Sequence, residues 1–218
     1  MIVKTPGVYI KETSNFPPSI VEVSTAIPVF IGFTGVAQTD PVVVSNMLEF
    51  TAAFGGRYPT SFTVDLNASE IVSPDRNFYL YDSLDLYFRN GGGPCYIISA
   101  GTFTPAPLSD KDAIEDAIAK IENVGEATII AVPDLHMKSN GAPTFPESDY
   151  GSMAQEILNV CGVEKDKFAL FDYHSMSSET TDMRTQLAPI SGNLKYGALY
   201  FPWLKNGRSF GVSYENLV

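Results

Sequence analysis

The sequence predicts an α/β domain: a largely parallel, or mixed, sheet flanked by helices and entered through an extended N-terminal β-arm. Three observations predict it. Short, nearly continuous apolar runs recur between residues 28 and 201, the pattern of parallel strands covered on both faces. Segments with a 3.6-residue apolar period lie between them, giving the strand–helix alternation of right-handed crossovers from about residue 25 onward. The first 24 residues carry no helical period and are broken by proline and glycine.

The arm comes first. Val3, Pro6-Gly7-Val8-Tyr9-Ile10 and Pro17-Pro18-Ser19-Ile20-Val21-Glu22-Val23 are β-prone runs with nothing of their own to pack against. Such a strand is stable only where a sheet edge, in this subunit or a neighbour, completes its hydrogen bonds. Pro28-Val-Phe-Ile-Gly-Phe33 then reads as a central strand. A short helix is expected over residues 46–54, stopped by Gly55-Gly56. Residues 57–77 lack a clear period and read as an exposed excursion or small insertion within the domain of residues 25–218. Leu80, Leu84, Tyr87 and Phe88 form the stripe of a second helix, ended by Gly91-Gly92-Gly93-Pro94.

The strand Cys95-Tyr-Ile-Ile-Ser99 follows, then the clearest helix, residues 109–123, with Ala113, Ile114, Ala117, Ile118 and Ile121 on one face. Ser109 is its expected cap, with Asp110 and Asp112 at the positive end of the dipole. Thr128-Ile-Ile-Ala-Val132 is a strand, and residues 138–146 are an exposed loop. The helix after it spans about 149–161, with Met153, Ile157, Leu158 and Cys161 inward and Gly162 as terminator. Phe168-Ala-Leu-Phe171 and Tyr196-Gly-Ala-Leu-Tyr-Phe201 complete the strands, with a further short helix at 180–187 between them. Tyr200, Phe201 and Trp203, the single tryptophan, are expected to pack against a neighbouring layer.

Composition sets the class. Charged residues make up 18% and hydrophobic ones 44%, an ordinary globular balance. No apolar run approaches the roughly 20 residues needed to cross a bilayer, so stable membrane insertion is not expected. Lys4, Pro6, Lys11 and Glu12 interrupt what would be a signal peptide. The formal charge of −11, from 25 acids and 14 bases, contains no basic stripe and disfavours direct nucleic-acid binding. Cys95 and Cys161 read as small buried apolar residues of a reducing compartment; their spacing argues against zinc and leaves a disulfide open.

One constellation is suited to chemistry. Asp134-Leu-His136 and Asp172-Tyr-His174 each follow a strand, on the carboxyl edge where α/β sheets bind ligands, and two carboxylates with the chain's two histidines suit a divalent metal. The structural alternative is that the aspartates cap helices or stabilise turns. Gly91-Gly92-Gly93 follows a helix and precedes a strand, the reverse of a phosphate-binding loop, and fits a helix C-cap. No nucleophile-elbow or dinucleotide fingerprint occurs.

Five segments, in order, carry a resemblance. They are Thr5-Pro-Gly-Val-Tyr-Ile-Lys-Glu12, Val23-Ser-Thr-Ala-Ile-Pro-Val-Phe-Ile-Gly-Phe-Thr-Gly35, Phe50-Thr-Ala-Ala-Phe-Gly-Gly56, Leu86-Tyr-Phe-Arg-Asn-Gly-Gly-Gly-Pro-Cys-Tyr-Ile-Ile98 and Gly197-Ala-Leu-Tyr-Phe-Pro-Trp-Leu204. Together they resemble the sheath proteins of contractile phage tails and related contractile injection systems. The resemblance implies a structural subunit without catalytic residue or cofactor, assembled in a bacterial cytoplasm as hexameric rings or a helical sheath. Its implied partners are its own copies, an inner tube protein, and baseplate and terminator proteins. It also implies that Val3, Pro6, Gly7, Val8, Tyr9, Ile10, Pro17, Pro18, Ile20, Val21 and Val23 form an inter-subunit interface by strand addition. Members of that family continue into a C-terminal domain with a terminal strand, whereas 14 residues follow Leu204 here. Two alternatives stand beside this reading: a baseplate or cap component of the same machinery, and a metal-dependent α/β enzyme using Asp134, His136, Asp172 and His174.

Overall fold

The structure, a computed structural model, describes residues 26–60, 62–65, 70–74, 76–103, 110–139, 142–173, 190–201 and 203. The arm, the Ser109 cap, the helix expected at 180–187, His174 and Pro202 lie outside the described residues.

In chain order the strands and helices are β1 (Pro28–Thr34), β2 (Val42–Val44), α1 (Met47–Phe54), β3 (Phe62–Asp65), β4 (Glu70–Pro74), β5 (Arg76–Asn77), α2 (Leu80–Arg89), β6 (Cys95–Thr102), α3 (Asp110–Ala119), β7 (Ile129–Ala131), β8 (Lys138–Ser139), β9 (Ala142–Pro143), α4 (Glu147–Glu164), β10 (Phe168–Asp172) and β11 (Gly197–Tyr200). Six strands form the main sheet in the order β11-β10-β7-β1-β6-β2. All pairings in it are parallel except that of β2 with β6, so the sheet is mixed at one edge. The parallel strands follow the doubly wound order 2-1-3-4-5, which reverses direction between β1 and β7.

Alternation sorts side chains onto two faces. On one, Val29, Ile31, Ile98, Ile130, Ala169 and Phe171 meet the apolar stripes of α3 and α4. Ile114 and Ile118 of α3 and Ile157 of α4 are fully buried, each such side chain contributing about 1.5–3 kcal/mol. On the other, Phe30, Cys95 and Ile97 meet Phe50 and Phe54 of α1 and Leu80 and Leu84 of α2. Cys95 and Cys161 thus lie in separate clusters on opposite faces, both buried and free. Burial pushes their thiols up, to about 12 and about 11 respectively.

Several expectations change. Val42–Val44 forms an edge strand that the sequence reading omitted. Residues 57–77 are not irregular throughout: β3 and β4 pair as an antiparallel hairpin, and β5 joins β8 and β9 in a three-stranded sheet. The loop expected to be exposed over 138–146 therefore carries two strands and buries Phe145. Gly162 does not end α4, which runs to Glu164 and closes at Lys165 in the left-handed region, φ 64°. The glycine serves packing instead, because a Cβ there would run into the Asn193 side chain.

The expected helix C-cap at Gly91 is present and forms a Schellman arrangement. Gly91 has φ +85°, its N–H donates to Phe88 O at 3.1 Å, and the Gly92 N–H donates to Tyr87 O at 2.9 Å. At the start of α1, Asn46 accepts from the Glu49 N–H and the Glu49 carboxylate accepts from the Ser45 N–H, at 2.9 and 2.8 Å.

Candidate functional site

Strand order reverses at the carboxyl end of β1 and β7, where sheets of this order open a crevice. β7 leaves the sheet through a 3-10 turn, Pro133–His136, which puts Asp134 at that point. Its carboxylate is fully buried and accepts three backbone N–H groups: Phe33 at 2.7 Å, Tyr79 at 2.6 Å and Leu80 at 3.1 Å. Tyr79, the N-cap of α2, has helical φ and ψ and supplies no side-chain cap of its own. Asp134 supplies it across 55 residues of sequence, and its negative charge sits at the positive end of the α2 dipole. A helix N-terminus at a strand switch point is an anion site, and here the chain fills it with its own side chain.

Gly32 makes this approach possible. A Cβ on Gly32 would overlap the Asp134 carboxylate and come within 2.9 Å of Leu80 Cβ. The glycine inside the apolar run of β1 is thus the sequence signal for close approach, legible as such once its partner is known.

His136, in the same turn, engages other neighbours. Its ring is 5% exposed and lies 5.4 Å from the Tyr150 ring and edge-on to Trp203 at 5.0 Å. The Tyr150 hydroxyl donates to the Asp172 backbone carbonyl at 2.8 Å, tying α4 to the end of β10, and burial holds its pKa above the usual tyrosine range. His136 and Asp172 both border a cleft of about 210 Å³ whose lining includes Phe30, Ala131, Leu170 and Tyr200. Asp172 itself is exposed, and partial desolvation at the cleft raises its carboxyl above its ordinary value. The structure therefore brings His136 and Asp172 to one cleft, while Asp134 turns its carboxylate to the β1–α2 junction. Among the described residues no three or more His, Cys, Asp or Glu side chains are grouped to hold a metal ion.

The aromatic end of the last strand departs from expectation. Tyr200, Phe201 and Trp203 are 60%, 58% and 51% exposed rather than packed under a layer. β11 is the sheet edge, and its alternation directs Tyr200 to the face that carries α1 and α2, at the far end of the sheet from them. Trp203 is nevertheless held in place, its indole N–H donating to Tyr173 O at 2.7 Å and its ring tilted 6.3 Å from Tyr79. Phe201 meets Tyr173 edge-on at 5.1 Å. The sequence reading missed Tyr79, Tyr150 and Tyr173, whose roles depend on partners far along the chain.

No family model matches this chain, and no curated protein does. Solved structures do match, among them a chain of the cryo-EM structure of the anti-feeding prophage (AFP) baseplate, 6-fold symmetrised, with a TM-score of 0.46 and 24% sequence identity. The alignment covers 92% of this chain and 47% of that one, so this chain spans about half the neighbour's length.

Thr34 and Ser99 share a buried hydroxyl–hydroxyl bond of 2.7 Å between β1 and β6, beside a register shift after Gly32. No described helix is long and apolar enough to cross a membrane.

Proposed function

We propose that this chain is a structural subunit of a contractile tail sheath, or of the corresponding sleeve of a phage-like injection particle, which polymerises around an inner tube and works without catalytic residues. The observation that carries this reading is the Asp134 carboxylate at the switch point: the place where a sheet of this order would take a ligand is used to hold helix α2. Residues in the segments that resemble sheath proteins have architectural work of the same kind. Gly32 admits Asp134, Phe50 and Phe54 fill the α1–α2 core, and Gly91 closes α2. The Asp134/His136/Asp172/His174 metal reading loses its first ligand to three amide donors.

In this reading residues 1–24 are the tether. Val3, Tyr9, Ile10, Ile20, Val21 and Val23 pair with a sheet edge of an adjacent subunit, and Pro17-Pro18 sets the reach of the connection. Contraction is then rigid-body rearrangement of folded domains about such tethers, driven by an extended lattice less stable than the contracted one. Partners are further copies of the chain, the tube protein, and the baseplate and terminator.

Negative-stain microscopy of the purified chain, with and without Met1 to Glu22, tests this. Tubular polymers or stacked rings that vanish on deletion, with the circular dichroism of the α/β domain retained, are expected. Sleeves that survive the deletion contradict the tether, and closed single rings that never stack assign the chain to a baseplate or cap.

A further inference from the structure

The cleft beside the Asp134 turn holds groups that the fold does not use. Register places Phe30, Ala131 and Leu170 in one row across β1, β7 and β10, and this row is its apolar side. Two residues further along, Asp172 and Tyr200 are register partners at the ends of β10 and β11. Alternation turns both to the same face as Leu170, so an exposed carboxylate and an exposed aromatic ring stand next to the apolar row. From the other side α2 brings Ser83. Among the described residues the Asp172 carboxylate makes no hydrogen bond or ion pair; the Tyr150 hydroxyl donates to the Asp172 backbone carbonyl instead. A carboxylate against such walls is costly to keep charged, which is why its pKa is raised, and a cation in the cleft removes that cost.

Size, walls and charge narrow the occupant. The cleft holds about 210 Å³, less than the roughly 300–1,000 Å³ of a small-molecule pocket and enough for one long side chain. An apolar row suits an aliphatic stem, and an aromatic ring next to a carboxylate suits a cationic head. Acceptors on two separate elements, Asp172 on β10 and Ser83 on α2, favour a planar fork of donors over the point charge of a lysine. The net charge of −11 draws basic partners toward the surface. We infer that the cleft seats an arginine side chain of a second protein chain, its stem along Leu170 and its guanidinium paired with Asp172 and stacked on Tyr200. Such a seat requires no particular assembly, and it is independent of whether the chain stacks into a sleeve.

Saturation-transfer difference NMR on the full chain tests it, because that measurement reads the ligand and tolerates any size of assembly. The probe is the tripeptide acetyl-Gly-Arg-Gly-amide at millimolar concentration, beside its citrulline counterpart, in which a neutral urea of the same shape replaces the guanidinium. Transfer to the arginine γ and δ protons is expected with the wild-type chain. It should be roughly fivefold or more weaker for citrulline, and weaker by the same factor for arginine with Asp172→Asn. Glu122→Gln removes the same charge at an exposed position just past α3 and is expected to leave the arginine signal unchanged. Asp172 and Glu122 are both exposed, so wild-type circular dichroism is expected of the two variants; if Asp172→Asn fails to fold, the citrulline comparison on the wild-type chain decides. No transfer to arginine, equal transfer to citrulline, or an undiminished signal in Asp172→Asn overturns the inference. An equal loss in Glu122→Gln also overturns it, by assigning the attraction to net charge.

Discussion

The half of the sheet built from β1, β6 and β2 and the half built from β7, β10 and β11 use the same kind of strand to different ends. In the first, all seven residues of β1 are buried and α1 and α2 close the second face. A buried carboxylate locks α2 to the strand crossing. In the second, α4 covers one face while the other presents Phe168, Leu170 and Tyr200 in part to solvent. Apolar sequence alone does not distinguish a strand between two layers from one between a layer and a surface. The difference is that the first half is closed on both faces and the second on one.

Breaking the lock gives the largest expected effect. Asp134→Ala leaves the Phe33, Tyr79 and Leu80 amides buried without an acceptor and is expected to cost about 3–5 kcal/mol in urea unfolding. A loss under about 1 kcal/mol would remove the carboxylate from its structural place. Gly32→Ala comes next, at about 1–3 kcal/mol, because the new methyl meets the Asp134 carboxylate and Leu80 Cβ. In combination with Asp134→Ala its cost should fall, since the clash partner is gone; strict additivity would contradict the contact.

Gly91→Ala tests the far end of α2. Forcing alanine to φ +85° is expected to cost about 1 kcal/mol, read as a shift in the unfolding midpoint at unchanged slope. The smallest effect belongs to the open half. Partial desolvation raises the pKa of the exposed Asp172 above its ordinary 3.8, so its charged form is slightly penalised in the fold. Stability contributed by this group is full below the ordinary pKa and declines as pH rises through the raised one. Asp172→Asn should therefore melt slightly higher than wild type at pH 7, by about 1 °C, with the gap closing toward pH 4. A gap that widens on acidification would reverse the sign and contradict the raised pKa.

Much of the fold was legible in the sequence. The five long apolar runs, the α2 and α3 stripes and the Gly91 cap appear where their local patterns place them, because each depends on residues within one element. What was illegible depended on distance in sequence. Asp134 reads as a possible ligand or a local turn residue until Phe33 and Leu80 are beside it, 101 and 54 residues away. Gly162 has the local form of a helix stop, yet its role is set by Asn193. Val42–Val44 is too short to show a period. Tyr200 and Phe201 have the pattern of buried strand residues, and a strand's alternation does not tell whether a further layer exists.

The central claim is that the Asp134 carboxylate is committed to the fold and the carboxyl edge serves architecture rather than chemistry. Calorimetric titration of the full chain with zinc, manganese and nickel tests it most directly. No binding at micromolar metal is the result the account predicts; micromolar binding that Asp134→Asn abolishes in a variant that remains folded would contradict it.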